Sequence, residues 1–330
     1  MSRKSNARSR PAASATAFAP GTVANVAVGF DVLGFSLEGV GDRVRVSLDA
    51  DATDTAIVVE SVEGVVTNLP TDARRNTAAV ALAAMRDELG LSHGFRVGLI
   101  KGLPLGSGMG GSAASAVGAV VAANRLLPEP LSREELLPFA LAGEAAASGA
   151  PHADNAAPCL YGGMTAVVAT EPLRVVDVPT PEGIACVLVH PDLRIDTRAA
   201  RASLSDEVPL GRHVAQSMRL TGFLAGCFRN DLELVALSME DLITGPQRAG
   251  RIIGFESART AALDAGALGM FVAGSGPSVF AWVRSIDEAA AVEKAIRRAF
   301  EEHGVGSRSW VSRLGCPGAH VLDEDAEPPG

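Results

Sequence analysis

The sequence is poor in cysteine, lysine and aromatic residues, and it lacks long apolar runs. Its four cysteines are Cys159, Cys186, Cys227 and Cys316. They are widely spaced, they form no C-x-x-C pair, and no histidines cluster near them. We therefore expect neither a disulfide framework nor a zinc site, and we predict a reducing compartment, the cytoplasm. No apolar run is long enough to span a membrane. The first fifteen residues have no apolar core, so we expect them not to act as a secretory signal.

The charge balance limits the class of partner. Of 330 residues, 38 are acidic and 29 basic, which gives a net charge of −9 and argues against nucleic acid as the main partner. Only Lys4, Lys101 and Lys294 are lysines, so the other 26 of those 29 basic residues are arginines. This bias singles out Lys101. Nothing marks the oligomeric state, and a homodimer is one option.

The chain is long enough for two domains with cores of their own. We predict a disordered basic extension over residues 1–15, an N-terminal domain over 16–175, a C-terminal domain over 176–322 and an acidic tail over 323–330. The boundary rests on a proline-rich stretch, Thr170–Gly183. Within the second domain, helices are predicted over His213–Arg229, Leu232–Leu242, Arg251–Ala265 and Glu288–His303.

A glycine-rich stretch, KGLPLGSGMGGSAASAVGAVVAAN, organises the first domain. The alternating apolar residues Phe95, Val97 and Leu99 predict a strand before it, and the alanine-rich run after Ser112 predicts a helix. A strand, a glycine turn and a helix N-terminus together direct backbone N–H groups toward an anion. The stretch therefore predicts a phosphate-binding loop.

The type of loop is a separate question. No Gly-Lys-Ser/Thr follows the glycines, which excludes a Walker A sequence. Gly106, Gly108 and Gly111 satisfy G-x-G-x-x-G, so an NAD-dependent oxidoreductase has to be weighed. The acidic residue expected at the end of the next strand is missing, because that region reads as a helix.

Polar groups stand out in three otherwise apolar places. Glu144 lies on an alanine-rich helix that starts at a capping box, Ser132 to Glu135, and it faces either solvent or a cation. His152, Asp154 and Asn155 crowd ahead of a Gly-Gly turn and a strand. Asn25 and Asp31, near a short first strand and a loop at Pro20–Asn25, are explained equally well by turn chemistry.

Three stretches resemble the signature motifs of the GHMP small-molecule kinase family: PGTVANVAVGFDVLG, PLGSGMGGSAASAVGA and GMFVAGSGPSVFAWV. They occur in the family's order and span about Ala17 to Trp282. Two further segments, HADNAAPCLYGGM and TRAAR, are similar to the branch of the family that acts on L-homoserine. The resemblance implies an α+β fold of two lobes, the first like domain 2 of ribosomal protein S5 and the second ferredoxin-like.

The resemblance also implies a reaction and a site. The γ-phosphoryl group of ATP would pass to the side-chain hydroxyl of L-homoserine, in threonine biosynthesis. ATP and Mg²⁺ would be the cofactors, with Ser112 and Glu144 as metal ligands. The residues implied at the nucleotide are Lys101, Pro104, Leu105, Gly106, Ser107, Gly108, Met109, Gly110, Gly111, Ser112, Ala113 and Ala114.

The residues implied at the small-molecule substrate are Asn25, Asp31, His152, Asn155, Thr197, Arg201, Arg259 and Gly276. Asp31 would pair with the substrate ammonium, and Arg201 and Arg259 would clamp its carboxylate, which suits a planar guanidinium. Ser112, Glu144 and Asn155 would serve catalysis. Asp154 matches a catalytic base of mevalonate-type relatives, and its role is left open.

One departure from the family pattern is Gly111, where the family usually has serine, so a side-chain phosphate contact is lost. Two alternatives stay open beside the oxidoreductase: a kinase of the same fold acting on another small alcohol, and a nucleotide-sensing protein without catalysis.

Overall fold

A computed structural model describes residues 13–49, 56–149, 151–205 and 207–323. The strands are β1 Ser14–Ala24, β2 Leu33–Asp49, β3 Ile57–Gly64, β4 Gly94–Lys101, β5 Met164–Thr170, β6 Leu173–Val178, β7 Ala185–Pro191, β8 Gly269–Val272, β9 Val279–Val283, β10 Ser307–Arg313 and β11 His320–Val321. The helices are α1 Thr77–Leu89, α2 Gly111–Asn124, α3 Arg133–Ser148, α4 Ala153–Tyr161, α5 Thr197–Ala202, α6 Leu210–Arg229, α7 Leu232–Ser238, α8 Gly245–Ala249, α9 Phe255–Asp264 and α10 Ala289–Glu302.

The first sheet has the order β11-β1-β2-β4-β3, and β5 and β6 extend it from one end of β2. Strand β2 pairs antiparallel with β1, β4 and β5, so it is the centre of this half. Strands β3 and β4 are parallel and are joined through α1. Alanine-rich α2, whose residues are almost all buried, packs on β1 and β2.

The second sheet is antiparallel with the order β10-β7-β9-β8. Together with α10 between β9 and β10, this is the predicted ferredoxin-like arrangement. The prediction of an α+β fold is confirmed. No helix in the described ranges is long and apolar enough to cross a membrane, and the four cysteines are free and buried.

Several predicted boundaries differ from the structure. Strand β1 continues through the predicted loop Pro20–Asn25 as far as Ala24, because Thr22–Ala24 pair with Gly34–Ser36 beyond an irregularity. It also begins at Ser14, inside the predicted extension, of which residues 1–12 lie outside the described part of the chain.

The division between the two sheets also differs from the predicted boundary at 175/176. All of β6 pairs with β5, so the change of sheet falls between Val178 and Ala185. Strand β11 returns to pair with β1, which ties the end of the chain to the first sheet. The division into two domains stays a prediction, and the acidic tail lies outside the described residues beyond Asp323.

Helix ends differ where local propensity gave no stop signal. Helix α6 starts three residues before the predicted His213, and α7 ends at Ser238 rather than Leu242. The helix predicted from Arg251 starts at Phe255, because Gly254 caps it in the left-handed conformation (φ 82°). His152 and the residues after it begin helix α4 instead of leading directly into a strand.

An aromatic cluster joins the two sheets. Phe35 of β2 meets Phe280 and Trp282 of β9 edge-on, with ring centroids 5.9 Å apart in both pairs. Phe223 of α6 lies 5.5 Å from Trp282. All four side chains are fully buried, so this cluster fixes how the sheets meet and thereby the width of the cleft between them.

We predict that Phe35→Ala lowers the free energy of unfolding by about 3–5 kcal/mol, because it opens a cavity where the two sheets meet. Phe228→Ala is the matched control, since Phe228 is 68% exposed on α6, and we expect a change within about 0.5 kcal/mol. Urea unfolding of both variants measures the difference. Equal stability of the two variants would contradict a joining role for the cluster.

Candidate active site

The predicted phosphate loop lies between β4 and α2, as the sequence indicates. Gly106, Gly108 and Gly110 adopt positive φ angles of 65°, 80° and 69°, which side chains rarely tolerate. The first amides of α2, at Gly111 and Ser112, have no partner within the helix, and both residues line a cavity. The loop therefore has the geometry of an anion site at a helix N-terminus.

The loop rests directly on the glycine turn between β8 and β9. A Cβ on Gly108 would collide with the carbonyl oxygen of Ala273 and would lie 2.9 Å from that of Gly276. The amide of Ser278 donates to the Ser107 carbonyl oxygen at 3.1 Å. The two glycine-rich motifs are thus in backbone contact, one from each sheet.

Lys101 does not extend toward the phosphate position. It is 5% exposed and pairs with the buried carboxylate of Asp42 beneath the loop. Its ammonium also donates to the Gly111 carbonyl oxygen at 2.8 Å and to the Ser115 hydroxyl at 2.7 Å. Lys101 therefore has a structural role under the loop, and its expected place at the nucleotide stays a prediction.

Asp42 is the residue of this cluster that sequence reasoning missed. It is fully buried on β2 and accepts hydrogen bonds from the amides of Gly102 and Leu103 at 3.1 and 3.3 Å, and from Ser115 at 3.0 Å. In the sequence, Asp42 is only an acidic residue next to the alternating strand Arg43–Leu48. A solvent-exposed aspartate at that position would look the same.

A cavity of about 500 Å³ opens in front of the loop and between the two sheets. Most of the predicted site residues line it: Asn25, Asp31, Lys101, Pro104, Leu105, Gly106, Ser107, Gly108, Gly110, Gly111, Ser112, Glu144, His152, Asp154, Asn155, Thr197 and Arg201. Met109, Ala113 and Ala114 are fully buried behind the loop. Gly276 faces Val272 and Ile252, and Gly274 and Ser275 line the cavity in its place.

Arg259 is a predicted substrate-binding residue that does not line this cavity. It lines a second cavity of about 520 Å³, on the other side of Arg248. Arg248, which lines both cavities, donates to the Gly274 carbonyl oxygen at 2.5 Å. Burial lowers the pKa of its guanidinium. No local pattern separates Arg248 from the neighbouring Arg251, so only the fold could identify it.

An ion pair between Asp31 and Arg201 faces the cavity. Arg201 donates to both carboxylate oxygens of Asp31, at 2.5 and 2.7 Å. Asn25 holds Asp31 by accepting from its amide at 3.0 Å, and donates to the Gly274 carbonyl oxygen at 3.1 Å. The guanidinium carbons of Arg201 and Arg248 lie 4.8 and 4.9 Å from the Phe30 ring centroid, so Phe30, also missed from sequence, orients both.

Buried acids and their partners also lie at this cavity. His152 Nδ1 lies 3.5 Å from a carboxylate oxygen of Glu144, and this contact raises the pKa of His152. Burial, with a further contribution from the charge of Asp31, raises the pKa of Asp154 to about 7. Asn155 accepts from the Thr22 hydroxyl at 2.8 Å, and the Thr197 hydroxyl lies 3.2 Å from that of Ser275.

The chain is similar to known proteins over most of its length. The family model described as GHMP kinases N terminal domain matches residues 76–163, and the one described as GHMP kinases C terminal matches 223–302. The chain is 46% identical over 309 residues to a homoserine kinase of Xylella fastidiosa, covering 93% of this chain and 94% of that protein. It is 40% identical over 315 residues to one of Chloroherpeton thalassium, covering 93% and 99%.

A solved structure agrees with these matches. The crystal structure of a homoserine kinase from Cytophaga hutchinsonii superposes with a TM-score of 0.90 at 40% identity, covering 98% of this chain and all of that one. The chain therefore belongs to the GHMP kinase family of phosphotransferases. Within that family, the relatives that it matches over nearly its whole length are homoserine kinases. The interpretation as an NAD-dependent oxidoreductase is not supported, because it expects a strand after α2 and the structure has α3 there.

We predict that the wild-type protein loses stability relative to the Asp154→Asn variant as pH rises. The folded state holds the Asp154 proton up to about pH 7, whereas the unfolded state loses it near pH 4, so folding costs more once the unfolded carboxyl is ionised. The wild-type melting temperature minus that of the variant should fall by at least about 2 °C between about pH 5 and pH 8.

Thermal unfolding of both proteins across that range measures the effect, and the buffer series is identical for the two. A difference in melting temperature that does not change with pH would show that Asp154 is not held protonated in the fold. Activity is not needed for this measurement, so it also separates burial of the carboxyl from any part it has in proton transfer.

Proposed function

We propose that the chain transfers the γ-phosphoryl group of ATP to the side-chain hydroxyl of L-homoserine and so forms O-phospho-L-homoserine, a step of threonine biosynthesis. The observation that carries this proposal is the Asp31–Arg201 ion pair, which faces the same cavity as the phosphate loop. Relatives at 40–46% identity that are homoserine kinases support it.

The ion pair matches an amino acid in both charges. A zwitterion offers its ammonium to Asp31 and its carboxylate to Arg201, so each member of the pair exchanges one partner for another. Arg248, held by Gly274 and Phe30, presents a second guanidinium to the same region and takes the place expected of Arg259. A neutral polyol would offer no charge to either member of the pair, and a carboxylate without an amine would engage Arg201 and leave Asp31 without a cation.

The nucleotide would bind with its phosphates at the amides of Gly106–Ser112, where dipoles and helix geometry favour negative charge. Mg²⁺ would be held by the Ser112 hydroxyl and the Glu144 carboxylate, both on the cavity wall. These are hard oxygen ligands of the kind that Mg²⁺ prefers, and it would neutralise charge on the phosphates. No group of three His, Cys, Asp or Glu side chains in the described ranges could hold a metal alone.

Phosphoryl transfer needs mainly positioning and charge neutralisation. Asn155, Thr197 and His152 would position the substrate hydroxyl, because they line the same cavity as the ion pair and the loop. The pKa of Asp154 suits a base, whereas its 3% exposure leaves it little access to a hydroxyl. Its part as a base is left open, a homodimer is one option, and the cytoplasmic location stays a prediction.

We expect MgATP-dependent ADP release in a coupled assay with L-homoserine, and none above background with L-serine, L-threonine or mevalonate. Arg248→Ala should raise KM for homoserine by about tenfold or more with KM for ATP unchanged, because it removes a charged hydrogen bond to the carboxylate. Arg259→Ala is the matched control, and its KM for homoserine should change by less than about twofold.

Release with mevalonate instead of homoserine would keep the kinase and reject the zwitterion site. If Arg259→Ala raised KM for homoserine and Arg248→Ala did not, the assignment of carboxylate binding to Arg248 in place of Arg259 would be wrong. Loss of Mg²⁺-dependent turnover in Glu144→Ala is expected, and unchanged turnover there would remove the metal assignment.

A further inference from the structure

The cationic side chains on the wall of the cavity in front of the phosphate loop are Arg75, Lys101, Arg194, Arg198, Arg201 and Arg248. Four of them are already engaged. Lys101 pairs with Asp42 and Arg201 with Asp31. Arg248 donates to Gly274, and Arg198 donates to the carbonyl oxygens at the end of α3, at 3.0 and 3.1 Å.

Arg75 and Arg194 are the two that remain, and neither side chain has a hydrogen bond or ion pair with any residue in the described ranges. Arg75 precedes α1, on the first-sheet side of the cavity. Arg194 lies between β7 and α5, on the second-sheet side, and is exposed. An exposed arginine without a partner at the edge of an anion site is available to a ligand.

The position of Arg194 relative to the loop is specific. A Cβ placed on Gly106 would lie 3.1 Å from Arg194 Cγ, 3.5 Å from Arg194 Nε and 3.2 Å from the Ile195 carbonyl oxygen. The Arg194 side chain therefore lies against the first glycine of the phosphate loop, and it reaches there from the opposite sheet. Glycine at position 106 leaves room for this approach.

The loop itself supplies no free positive charge. Its amides are neutral dipoles, position 111 has no side chain, and Asp42 neutralises Lys101 below it. A triphosphate carries several negative charges, and its transfer depends on groups that neutralise them. The planar fork of an arginine matches phosphate oxygens well.

We propose that Arg194 binds the triphosphate from the second-sheet side and stabilises the charge of the transferred phosphoryl group. This rests on the proposed kinase function and adds a catalytic residue to it. The bond between the γ-phosphorus and the ADP oxygen breaks, a bond between that phosphorus and the substrate hydroxyl oxygen forms, and the hydroxyl proton is released to solvent. Arg194 keeps its protons and forms no covalent bond.

The test uses Arg194→Ala, Arg194→Gln and Arg194→Lys in the full-length protein. Arg229→Ala is the matched control, since Arg229 is an exposed arginine at the end of α6, away from both cavities. Each protein is titrated calorimetrically, in Mg²⁺, with a non-hydrolysable ATP analogue, with ADP and with AMP. Turnover and melting temperature are measured on the same preparations.

In Arg194→Ala and Arg194→Gln we expect affinity for the ATP analogue to fall about tenfold or more and kcat to fall by a similar or larger factor, because charge-assisted contacts are lost. AMP affinity, KM for homoserine and the melting temperature should change little, and Arg194→Lys should be intermediate. Arg229→Ala should match wild type.

Two results would overturn the proposal: an ATP-analogue affinity and kcat within about twofold of wild type, or an equal loss for AMP, which would indicate a disturbed loop. Failure of the proposed substrate is distinguishable, because it would appear as wild-type protein without homoserine-dependent turnover. The selectivity of Arg194 for the triphosphate would then remain measurable in the titrations.

Discussion

A buried ion pair between Asp42 and Lys101 is the interaction on which the candidate site depends. Asp42, at 0% exposure, joins strand β2 to the start of the glycine loop through Gly102 and Leu103 and to helix α2 through Ser115. Lys101 completes the link by donating to Gly111. Both ends of the loop are therefore fixed to one carboxylate, so the loop can keep its amides oriented toward an anion before any ligand arrives. The same pairing cancels the lysine charge, which leaves phosphate neutralisation to groups from elsewhere in the cleft.

The second half of the chain supplies those groups because the sheets meet at the site. Backbone contact between the two glycine turns is so close at Gly108 that no side chain would fit there. Around that contact, Asn25 and Arg248 both bond to the carbonyl oxygen of Gly274, which places the Asp31–Arg201 pair beside the loop. A site for a zwitterion and a site for phosphate thus share one cavity, a geometry that suits phosphorylation of an amino-acid alcohol.

Sequence reasoning found what is local or carried by a motif. The glycine loop, the capping box before α3 and the α+β class follow from spacing, propensity and the resemblance to a family, and most of the expected residues line one cavity. It failed where tertiary contacts decide. The buried pairing of Lys101 was not foreseen, because its partner Asp42 is 59 residues away on another strand. Arg259 was expected in place of Arg248 because two arginines 11 residues apart carry the same chemistry, and only the packing of α8 against β8 distinguishes them. Strand β1 was cut short because its pairing with β2 is a long-range contact.

The most direct measurement of the central claim compares Asp42→Asn, Lys101→Met and the double variant for unfolding free energy and for affinity toward a non-hydrolysable ATP analogue. Removing Asp42 alone leaves a buried ammonium without its counter-charge, so we expect a loss of about 3–5 kcal/mol and no measurable nucleotide binding. The double variant should recover most of the stability, because neither charge is left alone, but not the affinity, because the loop ends are no longer held. Wild-type stability and nucleotide affinity in Asp42→Asn would contradict the account.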